Sequence, residues 1–388
     1  MTEIEIGENE ANQRLDRFLR KYLKGASLSY IYKLIRKDIK VNGARAKNDT
    51  LLQRGDRIFL YLKPEELERF HPERTISRSK AKRTFSIAYE DDNILAAEKP
   101  FGLLTHGDGK EKKNTLVNQV TDYLIEKGEY IPRMEKSFAP AAVNRLDRNT
   151  TGLVLFGKNS ASLRALNEMI RDKNAIGKYY LTIVRGRLEE NLFLSGNLTK
   201  DEKSNRVKIS RLERTSVSSS DFRSGGPSFS QSEDPLFSHR DEEAGADTAR
   251  SGETASSKDQ GKSVETLVHP LHFSDAYTLA EIRLMTGRTH QIRAHMAAAG
   301  YPIIGDAKYG DPSLNRLAEA EYGLTSQFLH AYRLEIFRGE GILSYLSGRS
   351  IVAGFSQKQS AAVRKIFGRI ELPEIFGEQS DRNVKGIK

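Results

Sequence analysis

The sequence predicts an α+β fold: a largely antiparallel mixed sheet flanked by helices, with a small basic module in front of it. Three observations carry this expectation. Helix-period and strand-period segments follow one another without a regular βαβ rhythm, which argues against a parallel sheet. Alternating apolar runs are joined by short turns rich in Asp, Asn and Gly. The 388 residues are only 38% hydrophobic, with a mean hydropathy of −0.57, so the chain is long enough for two domains and a sizeable core yet leaves some residues outside it.

The amino terminus, MTEIEIGENE, is acidic and lacks the apolar centre of a signal or transit peptide. Residues 14–62 then read as a compact unit, and 1–62 carries 13 Lys+Arg against 8 Asp+Glu. Leu15, Phe18 and Leu19 recur at helical spacing, and Ile31, Leu34 and Ile35 repeat it in a second helix capped by Ser27 or Ser29. Asn42-Gly43 is a hairpin dipeptide, and Gly55-Asp56 leads into a last strand from Ile58 to Leu62. This arrangement resembles the α-L RNA-binding module of a small-subunit ribosomal protein, an S-four-like domain over 1–62. The resemblance implies that Arg17, Lys33, Arg36 and Lys37 meet RNA phosphates, a contact that gives affinity with little sequence discrimination. On pattern alone the same charges are a solvated helix face.

Residues 63–84 are charged and interrupted by proline, which predicts a linker. Phe85 opens the second domain, 85–345. FSIAYEDDNILAAEKP reads as a hairpin turning at Asp91-Asp92, followed by a tight loop from Lys99 to Gly102. A helix is predicted over Thr115–Lys127, with Leu116, Val120, Tyr123 and Leu124 on one face. Strands over 153–157 and 179–185 flank a helix over 160–172, and a strand from Ala276 to Leu284 precedes a helix ending at Gly300. Between them, residues 216–263 hold 13 Ser, 9 acidic and 5 basic residues and few large apolar ones, so a disordered insert is expected. Residues 346–388 read as the C-terminal part of the domain and a polar tail.

A net charge of +10 and a pI near 9.4 favour a polyanionic partner. No segment is long and apolar enough for a membrane, so a cytoplasmic protein with no membrane partner is expected. Cysteine is absent, which excludes disulfides, thiolate nucleophiles and Cys-based zinc sites. His290 and His295 stand five apart, whereas a helical zinc pair wants four, so no metal is expected. GDGKE at 107–111 only faintly suggests a phosphate loop, and Asp306 after Gly305 reads as a turn former.

Two blocks carry chemistry. NRLDRNTTGLVLFGK (144–158) sets Asp147 between Arg145 and Arg148 in a turn before an apolar strand, where guanidinium neighbours would keep a carboxylate ionised and ready as nucleophile or base. An isolated Arg-Leu-Asp would be an ordinary surface turn. The second block, TGRTHQIRAHMAAAGYPIIGDAKYG (286–310), matches Gly, Arg and His positions that no generic turn requires. Together they resemble the RluA-type pseudouridine synthases, across 14–62 and about 85–340 apart from the insert.

The resemblance implies an isomerase that breaks the bond from ribose to base nitrogen, turns the base and rejoins it through carbon, with no cofactor. Asp147 is then the essential carboxylate, either attacking the sugar or first removing a sugar proton. Tyr180, two residues after Lys178 and six before Gly186, would stack on the turned-out base, although a half-buried strand tyrosine reads the same on pattern. Arg293 would pair with Asp147 through its planar fork. Arg145 would stand beside the extruded nucleotide and Arg288 on RNA phosphate. The family often has His where Asn144 stands. The expected substrate is large-subunit (23S) ribosomal RNA, acted on by a monomer. The alternatives are a synthase for transfer RNA, or a non-catalytic RNA-binding or ribosome-assembly protein on the same fold. A base-releasing glycosidase would need a second acid and a water path that the motifs do not offer.

Overall fold

The computed structural model describes residues 1–70, 82–201, 206–224, 261–368 and 370. By their internal contacts these fall into two compact units, one built on Met1–Ile176 and Arg333–Gly354, the other on Gly177–Tyr332 and the residues from Phe355 onward. The first division of the chain therefore falls at Ile176, inside the region expected to be one catalytic domain, while the basic module shares a unit with the residues that carry Asp147.

The first unit opens with β1 (Thr2–Glu5), β2 (Gln13–Arg14), α1 (Leu15–Tyr22), α2 (Leu28–Lys37), β3 (Ile39–Val41), β4 (Ala44–Arg45), β5 (Leu51–Leu52) and β6 (Arg57–Leu60). Leu15, Phe18, Leu19, Ile31, Leu34 and Ile35 are buried in one cluster, as their spacing predicts. Ser27 is the α2 cap, its hydroxyl accepting from the Tyr30 amide. Asn42 and Gly43 both have positive φ, 51° and 79°, the backbone of a type I′ hairpin turn between β3 and β4. Strand β1 was not anticipated. It pairs antiparallel with β6, and Ile4 and Ile6 point into the core, so the acidic start TEIE is the solvated half of a short alternation.

The expected linker 63–84 begins as a helix, α3 (Pro64–Phe70). Leu67 and Phe70, three apart, pack on the module's core, and Tyr30 and Phe70 have ring centroids 5.2 Å apart. The apolar pair was outnumbered by charge in the sequence. Of the rest of that segment, 71–81 lies outside the described residues.

Next come β7 (Ser86–Glu90), β8 (Ile94–Lys99), α4 (Leu116–Glu126), β9 (Ala141–Ala142), β10 (Thr151–Gly157) and α5 (Ser160–Arg171). Strands β7, β8 and β10 are antiparallel in that order, and β9 adds to β10. Asn159 caps α5 with a capping box. Gly157 has to be glycine, because a Cβ there would lie 2.7 Å from the Leu163 Cα.

The second unit takes the chain through β11 (Ile176–Arg185), β12 (Leu192–Asp201), β13 (Arg206–Ser216), α6 (Ser219–Ser224), β14 (Lys262–Phe273), β15 (Tyr277–Leu284), α7 (Gln291–Ala298), α8 (Pro312–Tyr322) and the start of β16 (Leu329–Ile336). Here β13, β12, β14, β15 and β11 follow one another, every pair antiparallel. Arg333 onward returns to the first unit, with a 3-10 turn at Gly341–Leu346 and β17 (Arg349–Val352) on β16. Finally α9 (Gln357–Phe367) places Ala362 and Val363 in the second unit's core with Ile183 and Leu279. Residue 369 and 371–388, which include the predicted tail, lie outside the described residues.

Both ends of the expected insert, 216–263, belong to regular elements. Ser216 closes β13, α6 follows with Phe222 buried beside the His269 ring, and Lys262 already belongs to β14. One aromatic anchor suffices to order the near end. Residues 225–260, where disorder was expected, lie outside the described residues. The α+β class with a largely antiparallel sheet stands.

Candidate active site

Asp147 sits on the turn between β9 and β10 in the first unit, and that turn is pinned from three sides. Asn144 reaches forward into β10, donating to Leu153 O (3.1 Å) and accepting from Leu155 N (2.8 Å). Thr105, buried, donates to Leu146 O (3.0 Å) and accepts from Leu146 N (3.1 Å), so the residue before Asp147 is held at both backbone atoms. From beneath, the Lys99 ammonium donates to Arg148 O (2.9 Å), Leu103 O (2.8 Å) and Pro100 O (3.0 Å). Three carbonyls satisfy its three donors, and Lys99 is only 1% exposed.

Arg148 Nη2 lies 3.0 Å from Asp108 Oδ2, an ion pair that the sequence did not suggest. Lys99 is tied electrostatically to Asp147: burial pulls its pKa down to about 7, and the Asp147 carboxylate pulls the other way. Sequence reasoning placed Lys99 in the tight loop and missed this role, although a lysine just before Pro100 at a strand end was visible. Arg145 is exposed, and its guanidinium, after the protein packed around the ring, helps hold His106 below its usual pKa. In the faint phosphate loop at 107–111, the amides of Asp108, Lys110 and Glu111 are committed within the loop itself. Asp108 Oδ1 accepts from Lys110 N and Glu111 N, and Glu111 Oε1 accepts from Lys113 N and Asn114 N.

Tyr180 and Arg293 belong to the second unit. Tyr180 lies on β11 opposite Ile282 of β15 and is 7% exposed, while Tyr179 is 4% exposed. Both tyrosines are buried, more deeply than the half-buried strand position read from the sequence.

Arg293, on α7, grips Asp306. Its Nε is 2.7 Å from Oδ2 and its Nη2 is 2.7 Å from Oδ1. The fork on Asp306 anchors this guanidinium at two of its nitrogens. Asp306 also accepts from Lys308 N (2.9 Å) and Tyr309 N (3.0 Å), so it shapes the turn, as read from sequence, and positions Arg293, which was missed. Gly305 makes room: φ is 75°, and a Cβ would meet Ser326 O at 2.3 Å. Burial alone would raise the Asp306 pKa, but Arg293 and the two amides hold the carboxyl below its usual range.

Around this pair, Tyr309 stacks under the Arg293 guanidinium at 5.2 Å, accepts from Val207 N (2.9 Å) and lies 3.0 Å from His290 Nδ1. His290 has a left-handed φ of 56° as it caps α7. His295, fully buried on Thr266, is pulled to about 4 by burial and stays neutral at physiological pH. Arg288 is exposed. Arg17, Lys33, Arg36 and Lys37 are exposed on α1 and α2. Among the described residues no group of three or more His, Cys, Asp or Glu is arranged to hold a metal ion, and no helix is long and apolar enough to cross a membrane.

The model of the family described as "RNA pseudouridylate synthase" matches residues 93–298. The chain is 31% identical over 338 residues to the ribosomal large subunit pseudouridine synthase C of Escherichia coli (strain K12), covering 86% of this chain and 87% of that one. The protein of the same name from Haemophilus ducreyi is 31% identical over 332 residues, 85% of each chain. Among solved structures, human RNA pseudouridylate synthase domain containing 4 is similar at a TM-score of 0.48 and 18% identity, over 72% of this chain and 92% of that one.

Proposed function

The chain belongs to the RNA pseudouridylate synthase family and is an isomerase that makes pseudouridine; on that premise we propose that its substrate is large-subunit (23S) ribosomal RNA and that Asp147 carries the reaction. The observation that supports the chemistry best is the pinned turn. A carboxylate whose flanking backbone is held by Thr105, Asn144 and Lys99 needs little reorganisation to meet a nucleotide turned out of its stack, a step that itself costs a few kcal/mol. Tyr180 would stack on the turned-out base, Arg293 would fix charge near the reacting carboxylate, Arg145 would stand at the extruded nucleotide, and Arg288 with Arg17, Lys33, Arg36 and Lys37 would meet phosphates. The relatives' names, which specify the large ribosomal subunit, support the substrate.

We infer further that the enzyme is a cytoplasmic monomer that needs no metal, in keeping with a reaction that has no redox step and a chain without cysteine. Turnover is then unchanged by EDTA. The substrate is tested by mapping pseudouridines in RNA from cells with and without the gene. Loss of one or a few sites in large-subunit ribosomal RNA, restored by the wild-type gene, is expected. Loss confined to transfer RNA would move the target, and no loss anywhere would favour the non-catalytic alternative.

A further inference from the structure

The turn Asn9–Gln13 of the basic module is docked on the body of the first unit. Asn9 donates to Glu135 Oε1 (2.7 Å) and accepts from Ser160 N (2.9 Å). Glu10, 3% exposed, accepts from Lys136 N (3.2 Å) and Ser137 N (3.3 Å). Two cations meet the same turn. Lys21, on α1, lies 3.4 Å from Gln13 Oε1; Arg164, on α5, donates to Ala11 O (3.4 Å) and Ser160 Oγ (2.9 Å). Arg17 stands one helical turn before Lys21 on α1, so it shares that face.

We propose that this seam between α1 and α5 is an anion site in which Arg17, Lys21 and Arg164 together hold a phosphodiester of the RNA substrate. The proposal rests on the reading of the chain as an enzyme of ribosomal RNA. It departs from the expected module face, because one of the three cations comes from outside the module and Arg17 is grouped with it and not with Lys33, Arg36 and Lys37 of α2.

Three like charges at one seam repel one another unless something negative joins them. The nearby carboxylates are committed elsewhere. Glu10 faces two backbone amides, and Asp16 takes the Arg14 fork and the Arg17 amide. Among the described residues, no ion pair joins Arg17, Lys21 or Arg164 to a carboxylate. The repulsion is felt: the protein around the ammonium, then the guanidinium groups of Arg164 and Arg17, lower the Lys21 pKa against the weaker pull of Glu10. A phosphate oxygen would be neutralised by charge-assisted bonds from both helices and would lock the module against the body when RNA binds.

The test uses the full-length protein and a large-subunit ribosomal RNA fragment, with affinity measured across a salt series. Lys21→Gln combined with Arg164→Gln is expected to weaken binding about tenfold and to flatten the slope of log affinity against log salt by roughly 0.7–0.9, the value for one phosphate contact. Arg164→Lys is expected to keep the wild-type slope, because a phosphate needs the charge. A double Gln variant with wild-type affinity and slope would overturn the site while leaving the substrate reading intact. Equal losses for Arg164→Lys and Arg164→Gln would overturn it too, since Arg164 would then act only by bracing Ala11. If the wild type ignores ribosomal RNA but binds transfer RNA with the same dependence on Lys21 and Arg164, the site stands and the ribosomal reading fails.

Discussion

Arg293 and Asp306 form a two-pronged ion pair, with both N···O distances 2.7 Å and the carboxylate fully buried. Thirteen residues separate them, and the glycine before Asp306 allows the carboxylate to reach the guanidinium while two amides hold it. A side chain expected to act on substrate chemistry is thus itself held by a partner that reads as a mere turn residue.

Asp306→Asn keeps the shape but leaves the buried guanidinium with a neutral partner. Breaking a buried pair from one side costs about 3–5 kcal/mol, so a urea unfolding curve should move to a clearly lower midpoint. Arg293→Lys should lose activity too, since one ammonium cannot grip both oxygens. An unchanged midpoint for Asp306→Asn would show that the fork contributes little to the fold.

The same pair sets an acid limit. Because the folded carboxyl is held below the unfolded value of about 3.9, its stabilisation is complete above that value and is lost as pH falls through the folded pKa. The stability gap between wild type and Asp306→Asn should therefore be flat from pH 8 to about 5 and close only below about 4. A gap that closes near neutrality would contradict the assignment.

Lys99 gives the opposite signature. Its folded pKa, about 7, lies below the unfolded value near 10.5, so the unfolded chain binds more protons between them and stability from this group rises with pH across that window. Lys99→Met should remove the rise, leave three carbonyls without a donor and slow isomerisation more than it weakens RNA binding, because the backbone beside Asp147 loses its support. Equal losses in single-turnover rate and RNA affinity would place Lys99 at the RNA surface instead.

The boundary after the basic module also has a consequence. A truncation starting at residue 63 strands Leu67 and Phe70, which pack on the module's core. It should bind a hydrophobic dye and aggregate more than a truncation starting at residue 71. Equal behaviour of the two would mean that α3 does not depend on the module.

Much of this was legible in the sequence because local rules agreed with the fold. The α1 and α2 core faces, the Ser27 cap, the Asn42-Gly43 turn and the β7–β8 hairpin follow from spacing and turn chemistry. What was missed depends on contacts between distant segments. Strand β1 is too short to show a period of its own and needs β6 beside it. Leu67 and Phe70 look like part of a charged linker until the module supplies a core. Arg148 and Arg293 pair with carboxylates 40 and 13 residues away, and Lys99 meets Arg148 O 49 residues on.

The central claim is that Asp147 performs the chemistry and is not needed to hold RNA. Asp147→Asn is nearly isosteric and keeps the loop's contacts through Thr105, Asn144 and Lys99, which involve backbone atoms of its neighbours. The direct measurement is tritium release from uridine-labelled large-subunit ribosomal RNA, taken with RNA affinity on the same samples. The account predicts loss of isomerisation with affinity close to wild type. Isomerisation within tenfold of wild type would remove Asp147 from the reaction.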